Sequence, residues 1–164
     1  MVAAEEDSSD MLSYCLKGSM NELQTWGYEY LRALSGQIGK EYLRLVENGD
    51  STDEIMKLVD YIVKQFINHN EEPEAVDLMM ETECLGKLNG YCNERNFDRV
   101  CRYLCSCSQY AADTEEMLQS YKTAFEIYKA QNQYPDALRV AQKMNDTELI
   151  KECMESCKDP ITIK

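Results

Sequence analysis

Apolar residues recur along this chain at intervals of three and four, segment after segment, and glycine and proline fall mostly near the joints, which leaves little choice of fold. Leu23, Trp26, Tyr30, Leu34, Ile38, Tyr42 and Leu45 trace one face of a long helix, because 3.6 residues per turn gather such positions into a stripe. Ile55, Leu58, Val59, Ile62, Phe66 and Ile67 form a second stripe, and Ala75, Val76, Leu78, Met79 and Met80 make "PEAVDLMMETE" apolar on most sides. Phe97, Val100, Cys101, Leu104 and Cys105 mark another helix, and Met117, Leu118, Tyr121, Ala124, Phe125 and Tyr128 the next. "PDALRVAQKM" and "TELIKECMESC" close the series.

The joints carry their own signals. Ser19 with Glu22, and Ser51 with Glu54, have the spacing of capping boxes, in which each side chain satisfies an orphan N–H at a helix start. Thr114 is placed to cap "EEMLQSYKTAFEIYKAQ", and Pro73 suits a first helical turn, where its missing N–H costs nothing. "MLSYCLKGS" predicts a short helix ended near Gly18; Asn48, Gly49 and Asp50 end the long helix, and "LGKLNGYCNERN" reads as a break. Gly27, Gly36 and Gly39 fall inside the long stripe, each costing up to about 1 kcal/mol relative to alanine, which predicts a close helix crossing or a local bend. Joints of a few residues force neighbouring helices antiparallel. The expected fold is all-α: stacked antiparallel αα-hairpins, α-solenoid-like. Ala124, Ala130, Ala137 and Ala141 allow close approach, while Tyr121, Phe125, Tyr128 and Tyr134 fill the gaps, as in tetratricopeptide-like helix pairs. The full tetratricopeptide signature at its roughly thirty-four-residue period is absent. Core positions expected from the stripes are Trp26, Leu34, Phe66, Leu78, Leu104, Phe125, Leu138 and Leu149.

With 164 residues, 44% of them apolar, the chain can bury roughly 70% of its unfolded surface without a disulfide or metal staple. Residues 1–10 read as a flexible acidic tail and 11–164 as a single helical-repeat domain. The acidic start "MVAAEEDSSD" lacks the basic and apolar regions of a secretion signal, so the expected localisation is cytoplasm and nucleus. Thirty Asp and Glu against seventeen Lys and Arg give a net charge of −13. That balance disfavours nucleic acid and anionic membrane as partners; solubility is its plainest reading, with an acidic docking face as the alternative.

Chemistry is hard to find in these residues. The eight cysteines, Cys15, Cys84, Cys92, Cys101, Cys105, Cys107, Cys153 and Cys157, include no C-x-x-C, and His69 is the only histidine. Cys101 with Cys105, and Cys153 with Cys157, are spaced i, i+4 on apolar helix faces, which suits buried thiols in a reducing compartment; metal binding or redox sensing is the alternative. His69 is expected at an exposed helix C-terminus, where a cation is favoured. The pairs Glu71–Glu72 and Glu115–Glu116 read as solvated acids at helix starts. Met79 and Met80 read as core, against an adaptable peptide groove. No Gly-x-Ser-x-Gly, phosphate loop or cysteine-protease context occurs. The expectation is a non-enzyme with no catalytic residues, no metal site and no cofactor.

Four blocks then carry a resemblance. "LQTWGYEYLRALSGQIGKEY", "HNEEPEAVDLMMETE", "RVCRYLCSCSQY" and "QYPDALRVAQKMNDTELIKECMESCKD" resemble, in this order and with similar spacing, the N-terminal helical region of the 26S proteasome non-ATPase regulatory subunit 2 family. The match runs from about Leu12 to Asp159. The resemblance implies that the chain is a fragment of a longer parent and a scaffold segment of the regulatory particle base, supporting ubiquitin-dependent protein degradation. Its implied partners are the base ATPase subunits and other regulatory-particle subunits. In the family, docking sites for ubiquitin, ubiquitin-like shuttle proteins and a deubiquitinase lie in a toroid of repeats absent here, so no receptor residue is carried over. A free-standing peptide-binding adaptor of helical repeats is the alternative from the residues alone, and a thiol-based metal or redox protein a third reading.

Overall fold

The computed structural model describes Leu12, Cys15 and residues 27–111 and 113–157. The proposed tail, the Ser19–Glu22 capping box, Leu23 and Trp26 lie outside the described residues. Among those described no strand occurs, and the fold is all-α and solenoid-like, built of successive packed helices. Packing divides the chain into two compact units, Met1–Cys84 and Leu85–Lys164.

The first unit contains α1 (Tyr28–Asn48), α2 (Asp53–Asn68) and α3 (Glu72–Glu81), each packed against the other two. Leu12 and Cys15 are helical and buried. Leu31, Leu34 and Ile38 of α1 meet Ile55, Leu58, Val59, Ile62, Val63 and Phe66 of α2, and Ala75, Val76, Leu78 and Met79 of α3, in one apolar interior. Tyr28 meets Phe66 edge to face at 6.0 Å, and Arg32 pairs with Glu74 across α1 and α3 at 2.9 Å. The long stripe read from Leu23 is interrupted: Gly27 sits at φ 82° and α1 starts only after it, since that left-handed φ suits glycine and is not helical. Gly39 supplies the close crossing. A Cβ there would lie 3.3 Å from the Cβ of Glu81 on α3, whereas Gly36 faces open space.

The second unit runs from a 3₁₀ segment η1 (Leu85–Tyr91) through α4 (Phe97–Cys107), α5 (Thr114–Ala130) and α6 (Tyr134–Met144) to α7 (Thr147–Ser156). Helix α5 is central: η1, α4 and α6 pack on it, and α7 packs on α6. It is accordingly buried on several sides, at Ser120, Tyr121, Thr123, Ala124, Phe125, Ile127 and Tyr128. The segment read as a break is η1, whose Leu85 and Leu88 are buried; two leucines three apart stack on one side of a 3₁₀ turn, a pattern too short to register as a stripe. Ala124, Ala137 and Ala141 are fully buried, as close helix approach requires, but Ala130 is exposed. Leu138 and Leu149, expected in the core, are only half-buried. The buried residues of those two helices are Ala137, Val140 and Ala141 on α6 and Cys153 on α7.

One closure recurs at the helix ends. Gly49, Asn70, Glu83, Asn132 and Asn145 all take φ between 51° and 73°. The residue after each returns its N–H five positions back: Asp50 to Leu45, Glu71 to Phe66, Cys84 to Met79, Gln133 to Tyr128 and Asp146 to Ala141. This is the Schellman closure, which satisfies orphan carbonyls and reverses the chain quickly. The helix starts differ from the sequence expectation. Asp113, not Thr114, is the N-cap of α5 and accepts from the Glu115 N–H. The Ser51–Glu54 capping box does not form: Thr52 is the N-cap, without a side-chain cap bond, and the Ser51 hydroxyl turns to Asp53 instead.

Candidate functional site

The thiols are the richest source of potential chemistry, and the fold buries half of them. Cys15, Cys84, Cys101 and Cys153 are buried, Cys92, Cys105, Cys107 and Cys157 are half-buried, and none of them forms a disulfide. Periodicity explains one of the two pairs. Cys101 and Cys153 lie on the inward stripes of α4 and α7, and Cys105 stays on α4 one turn on, but Cys157 is the C-cap beyond α7, with extended backbone, so the second pair does not share a helix. Burial pushes the Cys101, Cys105 and Cys153 thiols above their ordinary range. The nearby Cys92 and Cys105 sulfurs add to the effect at Cys101, and Lys143 only partly offsets it at Cys105. Such thiols stay protonated near neutrality, and the thiolate is the nucleophile and metal ligand. The Cys101 Sγ–H instead donates to the Ala124 carbonyl at 3.7 Å. Among the described residues, no three His, Cys, Asp or Glu side chains group as metal ligands would.

His69 is exposed at the C-cap of α2, its Nδ1 2.7 Å from the Gln65 carbonyl oxygen. It thus closes a helix end, as its position in the sequence suggests. Glu115 and Glu116 are exposed on the first turn of α5. Glu72 departs from its expected solvation: it is only 2% exposed in the first turn of α3, where the helix dipole favours a carboxylate. The sequence offers no signal for this, because Glu71 and Glu72 look alike until α3 is docked. Met79 is core, 1% exposed, and Met80 is half-buried, so the two do not form an open methionine groove.

Two clefts among the described residues are mixed in character. One of about 500 Å³ between α1 and the start of α2 is lined by Glu41, Leu45, Ser51, Asp53, Glu54, Ile55 and Lys57. Arg44 grips Glu41 from one turn away with bonds of 2.8 and 2.6 Å and holds its carboxyl below the usual range. A second, of about 340 Å³, lies between Leu118 and Lys122 of α5 and the turn Met144–Thr147. Neither is lined by a histidine or a cysteine. No described helix is long and apolar enough to cross a membrane.

Comparison with known proteins supplies what the geometry does not. The family model described as "RPN1 N-terminal domain" matches residues 1–164. The chain is 44% identical over 92% of its length to 26S proteasome non-ATPase regulatory subunit 2 of Dictyostelium discoideum. It is 35% identical over all of its length to homolog B of that subunit in Arabidopsis thaliana. Against 26S proteasome regulatory subunit rpn1 of Schizosaccharomyces pombe it is 35% identical over 94%. It spans only 17–18% of the length of these relatives. Matched from end to end by the family model and nearly so by relatives in three organisms, the chain belongs to the RPN1 N-terminal domain family, that of 26S proteasome non-ATPase regulatory subunit 2.

Proposed function

We propose that this chain is a non-enzymatic scaffold segment of the 26S proteasome regulatory particle base and a piece of a longer parent, supporting ubiquitin-dependent protein degradation through protein–protein contacts. The observation that carries the reading is its similarity, over nine-tenths of its length or more, to proteins named as regulatory, non-ATPase subunits. The interior supports it: thiols, methionine and small residues are committed to packing rather than gathered around a reacting centre. Mechanism on this reading is shape. Successive packed helices hold surface side chains at fixed spacing, and partners assemble on that surface. The partners are the base ATPase subunits and other regulatory-particle subunits, met in the cytoplasm and nucleus. Docking of ubiquitin and shuttle proteins belongs to repeats elsewhere in the parent. A net charge of −13 sets nucleic acid and anionic membrane aside as partners.

The test is affinity purification of the tagged full-length parent from its own cells, with the bound proteins identified by mass spectrometry. Proteasome ATPase subunits are expected in near-stoichiometric amounts. A parent that purifies without them overturns the reading.

A further inference from the structure

The Ser-x-x-Glu pattern at Ser51 is a motif that the fold leaves unused. Its plainest role, a capping box, is not taken up: Thr52 is the N-cap of α2, and the Ser51 hydroxyl accepts from the Asp53 N–H at 3.3 Å and donates to the Asp53 carboxylate at 3.0 Å. Ser51, Asp53 and Glu54 are all exposed, and residues 50–52 carry no regular secondary structure. The same pattern, a hydroxyl with a carboxylate three residues on, is what acid-directed protein kinases read. Here Asp50 and Asp53 add negative charge before and after it. Among the described residues two other hydroxyls have an acid at that spacing, Thr123 before Glu126 and Ser156 before Asp159. Thr123 is buried and Ser156 half-buried, which leaves Ser51 as the accessible one.

We propose that Ser51 is a phosphorylation site for an acid-directed serine/threonine kinase that uses ATP. A kinase must draw its substrate segment into an extended form, and this segment can yield. The first-turn N–H groups of a helix have no intrahelical partners, and the N-cap residue Thr52 supplies no side-chain bond to hold the turn. In the transfer, the Ser51 Oγ attacks the γ-phosphorus of ATP and the new O–P bond forms. The bond from that phosphorus to the β,γ-bridging oxygen breaks, ADP leaves, and the hydroxyl proton passes to the kinase's catalytic aspartate. The product places a phosphate, carrying about −1.5 to −2 charges, in the cleft that Ser51 shares with Glu41, Asp53, Glu54 and Lys57. Charge and shape of that part of the surface change together, which is how a phosphate alters docking on a scaffold.

The experiment incubates the full-length parent with ATP and a purified kinase that requires an acid three residues after the acceptor, and maps the phosphate by tandem mass spectrometry. Incorporation at Ser51 is expected, with loss of that phosphopeptide in Ser51→Ala and marked slowing in Glu54→Gln. The Glu54→Gln variant leaves the acceptor hydroxyl and the helix start unchanged, so its effect reads recognition rather than folding. No phosphate at Ser51, phosphate on Thr52 instead, or an undiminished rate in Glu54→Gln would overturn the proposal.

Discussion

Gly36 and Gly39 lie on the same stretch of α1, yet the structure gives them opposite meanings. Gly36 faces open space, so Gly36→Ala is expected to stabilise the protein by up to about 1 kcal/mol, the propensity gain of alanine in a helix, measured by denaturant unfolding. Gly39 is buried beneath Glu81, and Gly39→Leu is expected to cost about 1–3 kcal/mol through overpacking. The sequence flags both glycines but cannot separate them, because the side chain that decides comes from α3. Two carboxylates make a matched pH test. Partial desolvation against α1 first, and Asp77 second, raise the Glu81 pKa, and the effect is small because the residue stays exposed. The native state therefore holds that proton more tightly than the unfolded chain, and ionising Glu81 lowers stability as pH rises. Glu81→Gln should be stabilising at neutral pH, with the gain vanishing at acid pH. The bond from Arg44 lowers the Glu41 pKa, so its contribution is present above the unfolded pKa and lost as pH falls through the folded one. Glu41→Gln should be slightly destabilising at neutral pH, its deficit also vanishing in acid. The effect stays small because Arg44 is well exposed and water screens the pair. Unfolding curves at neutral and acid pH check both signs.

The helix is the scale at which the sequence is most legible. Ile55, Leu58, Val59, Ile62 and Phe66 are buried as their spacing demands, and so are Leu34, Leu78, Leu104 and Phe125. Leu104→Ala should cost about 2–5 kcal/mol, and Leu138→Ala or Leu149→Ala markedly less, since those two keep contact with solvent. Helix ends are read less well, because several polar residues near each start compete and only local geometry chooses among them. Thr114 and Ser51 read as caps, yet Asp113 acts as one and Thr52 occupies the N-cap without a bond. Asp113→Ala should destabilise by about 1 kcal/mol and Thr114→Ala by less, a contrast that equilibrium unfolding resolves. The asparagine closures allow a sharper test. Asn145→Gly should be tolerated at φ 55°, whereas Asn145→Val should cost about 1–2 kcal/mol for a left-handed β-branched residue. The 3₁₀ segment Leu85–Tyr91 escapes a sequence reading for a plainer reason: it is too short to display a period.

For the whole molecule, packing and function are legible by different routes. Composition and periodicity reach an all-α chain with thiols on apolar helix faces, and they stop there, because no motif in the sequence concentrates chemistry at one place. Family membership rests on co-linear blocks such as "EAVDLMMETE" and "YPDALRVA", and the end-to-end family match agrees with them. The structure adds which of those residues are spent on the interior: Met79, Ala137 and Ala141 are buried, whereas Lys40, Lys57, Lys87 and Lys122 are exposed and open to report on neighbours. The central claim, that this chain is a scaffold segment of the proteasome base, is tested most directly by lysine-reactive cross-linking and mass spectrometry of intact proteasomes from the organism's own cells. Cross-links from at least one of these four lysines to base ATPase subunits are expected; cross-links solely to proteins outside the proteasome, or absence of the chain from the particle, would contradict the scaffold reading.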